Sequence, residues 1–260
     1  MLSEPTNRWI QRLTPQATGR LRLVCFPHAG GAATYYLPLS RALPPDIDVL
    51  AIQYPGRQDR RKEPSRTSIP ELADEIDTAL RAQLSGPYAF FGHSMGAVIA
   101  HEVTQRRQVA GLRLPEQLFV SGRRAPSQPQ FRPESPRTDG GILAELREAG
   151  GTHPMFLEDE ELRAELLRIM HADYRAIDTY RWTPQPPVEC PITALTGDND
   201  PQAPVPAVAG WSAHTAAAFD LQIFEGGHFY LDKHRQRVAD LLAGTLQTIP
   251  AGAAGEAGLG

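Results

Sequence analysis

The chain has 260 residues, 41% of them hydrophobic, and a formal charge of −4, which suits one domain with a well-buried core and excludes a strongly basic nucleic-acid footprint. No apolar stretch is long enough to span a bilayer, and Met1-Leu2-Ser3-Glu4-Pro5 lacks the basic and apolar regions of a secretory leader. Cys25 and Cys190 each adjoin an apolar run, so they read as small buried hydrophobes rather than a disulfide or metal pair, and a cytoplasmic location is expected.

In chain order, Leu21–Phe26 reads as a strand, Thr34–Leu43 as a short helix, and Ile47–Gln53 as a strand stopped by Tyr54-Pro55-Gly56. Ile69–Leu84 has helical spacing, with Pro70 in the first turn, where a missing N–H costs little. Pro87–Phe91 is a strand, Met95–Gln108 is helix-compatible, and Gln117–Ser121 is a strand. From Arg123 to Pro187 no strand pattern occurs: a Pro- and Arg-rich stretch is followed by helical runs at Gly141–Ala149 and Glu158–Tyr180. Strands resume at Ile192–Thr196 and Leu221–Phe224, and Lys233–Thr248 is the last helix. Such alternation predicts an α/β fold, a mostly parallel sheet with helices on both faces and reactive groups at the C-terminal strand ends. Residues 1–250 form the expected single domain. The interval 123–187 is expected to be a lid over the catalytic edge, the plain alternative being an ordinary pair of packing helices. The Gly- and Ala-rich 251–260 tail is expected to be disordered.

Gly92-His93-Ser94-Met95-Gly96 lies between an apolar strand and a helix. A Gly-x-Ser-x-Gly match alone arises by chance. With both flanks in place, it describes a sharp strand-to-helix turn that lifts a serine hydroxyl clear of the sheet. A serine attacks a carbonyl only if a base takes its proton, so an acid and a histidine must follow in that order. In Gly197-Asp198-Asn199-Asp200-Pro201, Asp200 lies further out on the turn and can reach back towards an imidazole, whereas Asp198 suits local backbone amides. His228, after the paired glycines Gly226 and Gly227, is the candidate base. His101, His153, His171, His214 and His234 read as surface or satisfied core residues, and His93 is placed wrongly for a base. No histidine cluster has metal-ligand spacing, so no metal is expected. The oxyanion needs two N–H donors. Met95, opening the helix, supplies one, and Ala29 in the loop Phe26-Pro27-His28-Ala29-Gly30-Gly31 the other.

The chain resembles the type II thioesterases, the discrete editing thioesterases of modular polyketide and non-ribosomal peptide assembly lines. The likeness runs from Leu21 to Leu231 through Phe26-Pro27-His28-Ala29-Gly30-Gly31, Gln53-Tyr54-Pro55-Gly56-Arg57-Gln58-Asp59-Arg60, Phe91-Gly92-His93-Ser94-Met95-Gly96-Ala97, Phe119-Val120-Ser121-Gly122-Arg123-Arg124-Ala125-Pro126, Ala172-Asp173-Tyr174, Gly197-Asp198-Asn199-Asp200-Pro201 and Gly226-Gly227-His228-Phe229-Tyr230-Leu231. The motifs are also similar to those of rifamycin-type polyketide pathways. The resemblance implies an α/β-hydrolase fold and a Ser94–Asp200–His228 triad. It also implies hydrolysis of short or aberrant acyl groups from the phosphopantetheine arm of acyl or peptidyl carrier proteins. The enzyme itself would need no cofactor and would act as a monomer, without nucleic acid or membrane as partner. Departures at Leu167-Arg168-Ile169-Met170-His171 and at Met155 after Gly150-Gly151-Thr152-His153-Pro154 leave acyl preference open.

Met155, Phe156, Leu162, Leu166, Ile169, Met170 and Tyr174 either line an acyl chamber or simply pack an amphipathic helix. Arg57, Arg60, Arg61, Lys62 and Arg66, with Arg123, Arg124, Arg132 and Arg137, either steer an acidic carrier protein or are solvated loop charge. The competing functions are a carboxylesterase or acyltransferase on the same fold, and a non-catalytic carrier-binding scaffold.

Overall fold

A computed structural model describes residues 7–14, 21–129, 137–150 and 155–249; the expected tail, Arg132, His153 and most of the segment 150–154 lie outside them. The strands are β1 (Ile10–Arg12), β2 (Leu21–Phe26), β3 (Ile47–Ile52), β4 (Tyr88–His93), β5 (Gln117–Ser121), β6 (Ile192–Gly197) and β7 (Phe219–Phe224). The helices are α1 (Leu37–Ala42), α2 (Ile69–Arg81), α3 (Met95–Val109), α4 (Asp139–Ala149), α5 (Met155–Glu158), α6 (Glu160–Thr179), α7 (Val205–Ala209), α8 (Tyr230–Lys233) and α9 (Arg235–Gln247).

The strands form one sheet of order β1-β3-β2-β4-β5-β6-β7. All neighbours are parallel except β1, which runs antiparallel to β3. With the elbow between β4 and α3, this is an α/β-hydrolase fold. Every residue of β3, β4, β5 and β6 is buried, as a parallel sheet covered on both faces requires. The period-2 alternation sorts β2 between two cores. Val24 and Phe26 join the core with α2 and α3, while Leu23 and Cys25 join the one with α1 and α9. Cys25 and Cys190 are buried free thiols.

β1 was not expected. It has three residues, too few for a periodicity to register. It closes the edge of β3, and Leu13 N–H donates to Val49 O at 2.8 Å and Gln53 N–H to Trp9 O at 2.8 Å. The helix starts follow capping chemistry. Ser68 Oγ accepts from Glu71 N–H, Thr138 Oγ1 from Gly141 N–H, and Asp159 Oδ1 from Leu162 N–H. The Asp159 cap opens α6 at Glu160, just inside the expected helical run Glu158–Tyr180, and the short α5 lies almost wholly ahead of that run.

Candidate active site

β4 ends at His93 and α3 begins at Met95, so Ser94 makes the whole turn, with φ 55° and ψ −115°. A non-glycine residue in this region carries about 1–3 kcal/mol of strain, held by its surroundings. Those surroundings are tight. A Cβ on Gly92 would overlap the Gly96 carbonyl, and one on Gly96 would overlap the carbonyls of Phe26 and Pro27. Gly96 thus lets the loop after β2 lie against the first turn of α3. Gly96→Ala must displace backbone rather than a flexible side chain. It is expected to cost about 1–3 kcal/mol, read as a lowered melting temperature.

His228 lies beyond β7, with its Nδ1 2.7 Å from Asp200 Oδ2. Asp200 is 2% exposed and His228 7%. Asp200 Oδ1 accepts from Gln202 N–H at 2.9 Å, which leaves Oδ2 facing the imidazole. Asp198 plays a different part. Its Oδ1 accepts from Gly226 N–H at 2.9 Å and from Asn199 Nδ2 at 2.9 Å, tying the acid loop to the histidine loop. A Cβ on Gly197 would meet the carbonyls of Gly226 and Gly227, so glycine permits that close approach. With Nδ1–H donated to the carboxylate, Nε2 is the free acceptor. Ser94 and His228 line the same cavity.

Around the imidazole stands an aromatic shell. His93 lies 5.0 Å from His228 between ring centroids. Its Nδ1 is 2.9 Å from Ser121 Oγ, which is itself 2.6 Å from Tyr230 OH. Burial, then the neighbouring His228, holds the His93 pKa well below the usual imidazole range. Burial, then His228 and Arg57, lowers that of His28 to about 3. Both rings therefore stay neutral and add no charge beside the base. His28 packs on Tyr35 and Phe229. His101 and His214 pack with Trp211 away from the cavity, and His171 and His234 bond Asp139 and Glu225 O. Among the described residues no group of three or more His, Cys, Asp or Glu could hold a metal, and no helix is long and apolar enough to cross a membrane.

Met95 opens α3, and Ala29 lines the cavity with Ser94 and His228. Among the described residues no acceptor is bonded to either amide. The Ala29 loop is anchored by two hydroxyls that sequence reasoning missed: Tyr36 OH donates to Phe26 O at 2.8 Å and Tyr54 OH to Pro27 O at 3.1 Å. Only Tyr54, which follows the end of β3, gives a positional hint of this; Tyr36 lies well past β2, just before α1.

α4 and α6 cover the cavity, which measures about 60 Å³. Of the expected chamber residues, Met170 and Tyr174 line it. Leu166 packs instead with Ile142 and Leu146 between α4 and α6. Ile169 is buried without lining the cavity, and Leu162 is half-buried without lining it. Met155 and Phe156 are 51% and 40% exposed on α5, outside it. The chamber reading is corrected accordingly, and Leu146, Ile177, Arg137 and Glu145 join the lining. Arg137 Nη1 lies 2.5 Å from both Glu145 oxygens, and Tyr174 OH donates to Glu145 Oε2 at 2.9 Å.

The expected basic surface divides as well. Arg57 and Arg60 are buried and cannot meet a partner. Arg57 pairs with Asp173 of α6. Arg60 is held by Gln53 O, Glu63 and the face of Trp9. Arg61 and Lys62 are exposed. Arg123 and Arg124 are half-buried at the cavity wall, where burial, then Arg124, lowers the Arg123 pKa to about 10.

The Thioesterase domain family matches residues 21–246. The chain is 45% identical over 233 residues to thioesterase PikA5 of Streptomyces venezuelae, a match covering 89% of this chain and 83% of that protein. It is 32% identical over 245 residues to the gramicidin S biosynthesis protein GrsT of Aneurinibacillus migulanus, covering 94% of this chain and 95% of that one. The solved structure of the type II thioesterase BorB from the borrelidin biosynthetic cluster is similar at a TM-score of 0.85 and 43% identity, covering 94% of this chain and 99% of that chain.

Proposed function

This chain belongs to the thioesterase domain family and is a thioester hydrolase, and we propose that it clears short or aberrant acyl groups from the phosphopantetheine arm of acyl or peptidyl carrier proteins. The observation that carries the chemistry is the 2.7 Å contact of His228 with Asp200, opening on the cavity that holds the strained Ser94. Relatives named for gramicidin S biosynthesis and the borrelidin cluster support a place beside an assembly line. A rifamycin-type polyketide pathway is the finer proposal.

In this reading Ser94 Oγ attacks the thioester carbonyl carbon and its proton passes to His228 Nε2. The Met95 and Ala29 amides face the oxyanion. Collapse breaks the C–S bond, and the thiol departs with a proton from the imidazolium. Water, deprotonated by His228, attacks the acyl-Ser94 ester; the acid is released and Oγ regains its proton. No cofactor enters these steps. The segment 123–187 acts as the lid. The covered cavity of about 60 Å³ is smaller than the ~300–1,000 Å³ that hold drug-sized ligands, so part of the helical cover over the cavity shifts to admit the arm.

The test loads one carrier protein with acetyl, propionyl and a long extended acyl group and follows each by intact mass. Loss of the short groups ahead of the long one is expected. Faster cleavage of simple oxygen esters than of any acyl carrier would instead identify a general esterase. Steering falls to Arg123 and Arg124 with exposed Arg61 and Lys62. Arg124→Glu should raise KM for acyl carrier about tenfold more than KM for an acyl-N-acetylcysteamine thioester. Equal changes would remove the steering role.

A further inference from the structure

The loop that carries Ala29 is not held by the body alone. Asp173 Oδ2, on α6, accepts from Gly30 N–H at 2.8 Å. Arg57 Nη1 donates to Gly31 O at 2.7 Å and to Asp173 Oδ2 at 3.0 Å, and Nη2 donates to Asp173 Oδ1 at 2.7 Å. The pair is nearly dry, with side chains 4% and 1% exposed. Arg57 also lies over Tyr54, the ring whose hydroxyl bonds Pro27 O. One turn before Asp173, Met170 rests on Gly30, its Sδ 2.5 Å from where a Cβ would stand.

A buried ion pair is weak support for stability, because removing two charges from water costs several kcal/mol per ion. What this pair supplies is direction. Its two outward bonds fall on the amide and the carbonyl of the residues directly after Ala29. An oxyanion donor is useful only when aimed to within a few tenths of an ångström of the developing charge. We propose that Arg57 and Asp173 are positioning residues, which hold the Ala29 N–H at the oxyanion site so that the lid helix α6 completes the oxyanion hole. The central turns of α6 then stay docked while acyl groups enter, and opening is left to α4, α5 and the first turns of α6. This inference rests on the acyl-serine reading above.

The test uses the full chain as Asp173→Asn and Arg57→Lys, with Ser94→Ala as the reference. Each is assayed on propionyl-N-acetylcysteamine and titrated with a trifluoromethyl ketone of matching chain, whose hydrate-free carbonyl adds Ser94 Oγ and places an oxyanion in the hole. Asp173→Asn keeps the shape but gives up the charge. Arg57→Lys keeps the charge but gives up the two-pronged fork. Either should lower kcat on the order of a hundredfold, with KM within about twofold. Affinity for the ketone should fall by the same factor as kcat. Folded variants with wild-type kcat, or with kcat lost and ketone affinity intact, would overturn the proposal. If Asp173→Asn does not fold, Arg57→Lys and the double variant Arg57→Met with Asp173→Leu are read in the same way. A fully active Ser94→Ala would overturn the acyl-serine reading and this inference with it. An inactive Ser94→Ala beside a fully active Asp173→Asn would overturn this inference alone.

Discussion

Ser94→Ala is expected to lower kcat on an acyl-carrier thioester on the order of 10⁶-fold while the protein stays folded. The serine occupies the single residue between β4 and α3, and its cavity is shared with His228 and Ala29. Removing Oγ leaves the imidazole and the amides in place but with nothing to acylate. Melting should shift little, since alanine takes the same backbone geometry at a similar cost. A fluorophosphonate should phosphonylate Ser94 Oγ with loss of fluoride, adding its mass less HF to the wild type and nothing to the variant. Turnover retained above roughly a hundredth of wild type would show that water activated by His228 attacks directly, because the amides and binding alone give only ~10³–10⁴ over water.

How much of this was legible along the chain depends on how far apart the interacting groups lie. The elbow is local. Two glycines flanking a serine between an apolar strand and a helix state a backbone problem and its solution within five residues, and the geometry at Ser94 is that solution. The acid and base loops are each local too, and Asp200 meets His228 because the parallel pairing of β6 with β7 places both loops at one sheet end. The Arg57–Asp173 pair joins residues separated by 116 positions, and nothing in the residues around Arg57 distinguishes an inward arginine from the exposed Arg61 and Lys62. The charge of this stretch therefore reads as surface until the fold buries half of it. The segment 123–187 misleads in a similar way. An amphipathic pattern tells which side of α6 is covered but not by what, so Met170 and Tyr174 reach the cavity while Leu166 packs between helices. β1 escapes because three residues cannot display alternation.

Asp200→Asn is expected to lower kcat by about 10⁴-fold, and Asp198→Asn to leave it within about threefold of wild type. The two aspartates are two residues apart on one turn, yet their bonds differ in kind. Asp198 Oδ1 only accepts, from Gly226 N–H and Asn199 Nδ2, and an asparagine oxygen can accept both. Asp200 Oδ2 faces His228 Nδ1 at 2.7 Å in a site 2% exposed. There the replacement has one oxygen and one amide. Gln202 N–H already requires an acceptor at the Oδ1 position, which turns the Nδ2 amide towards the imidazole. A donor facing Nδ1 drives the proton to Nε2, the nitrogen that must take the serine proton, so the base is lost while the geometry is kept. KM for the acyl carrier should change far less than kcat, since neither aspartate lines the cavity. Measured side by side, equal losses in the two variants would mean that the loop acts as a unit and that no one carboxylate orients His228. A large loss at Asp198 alone would move the triad acid to that position.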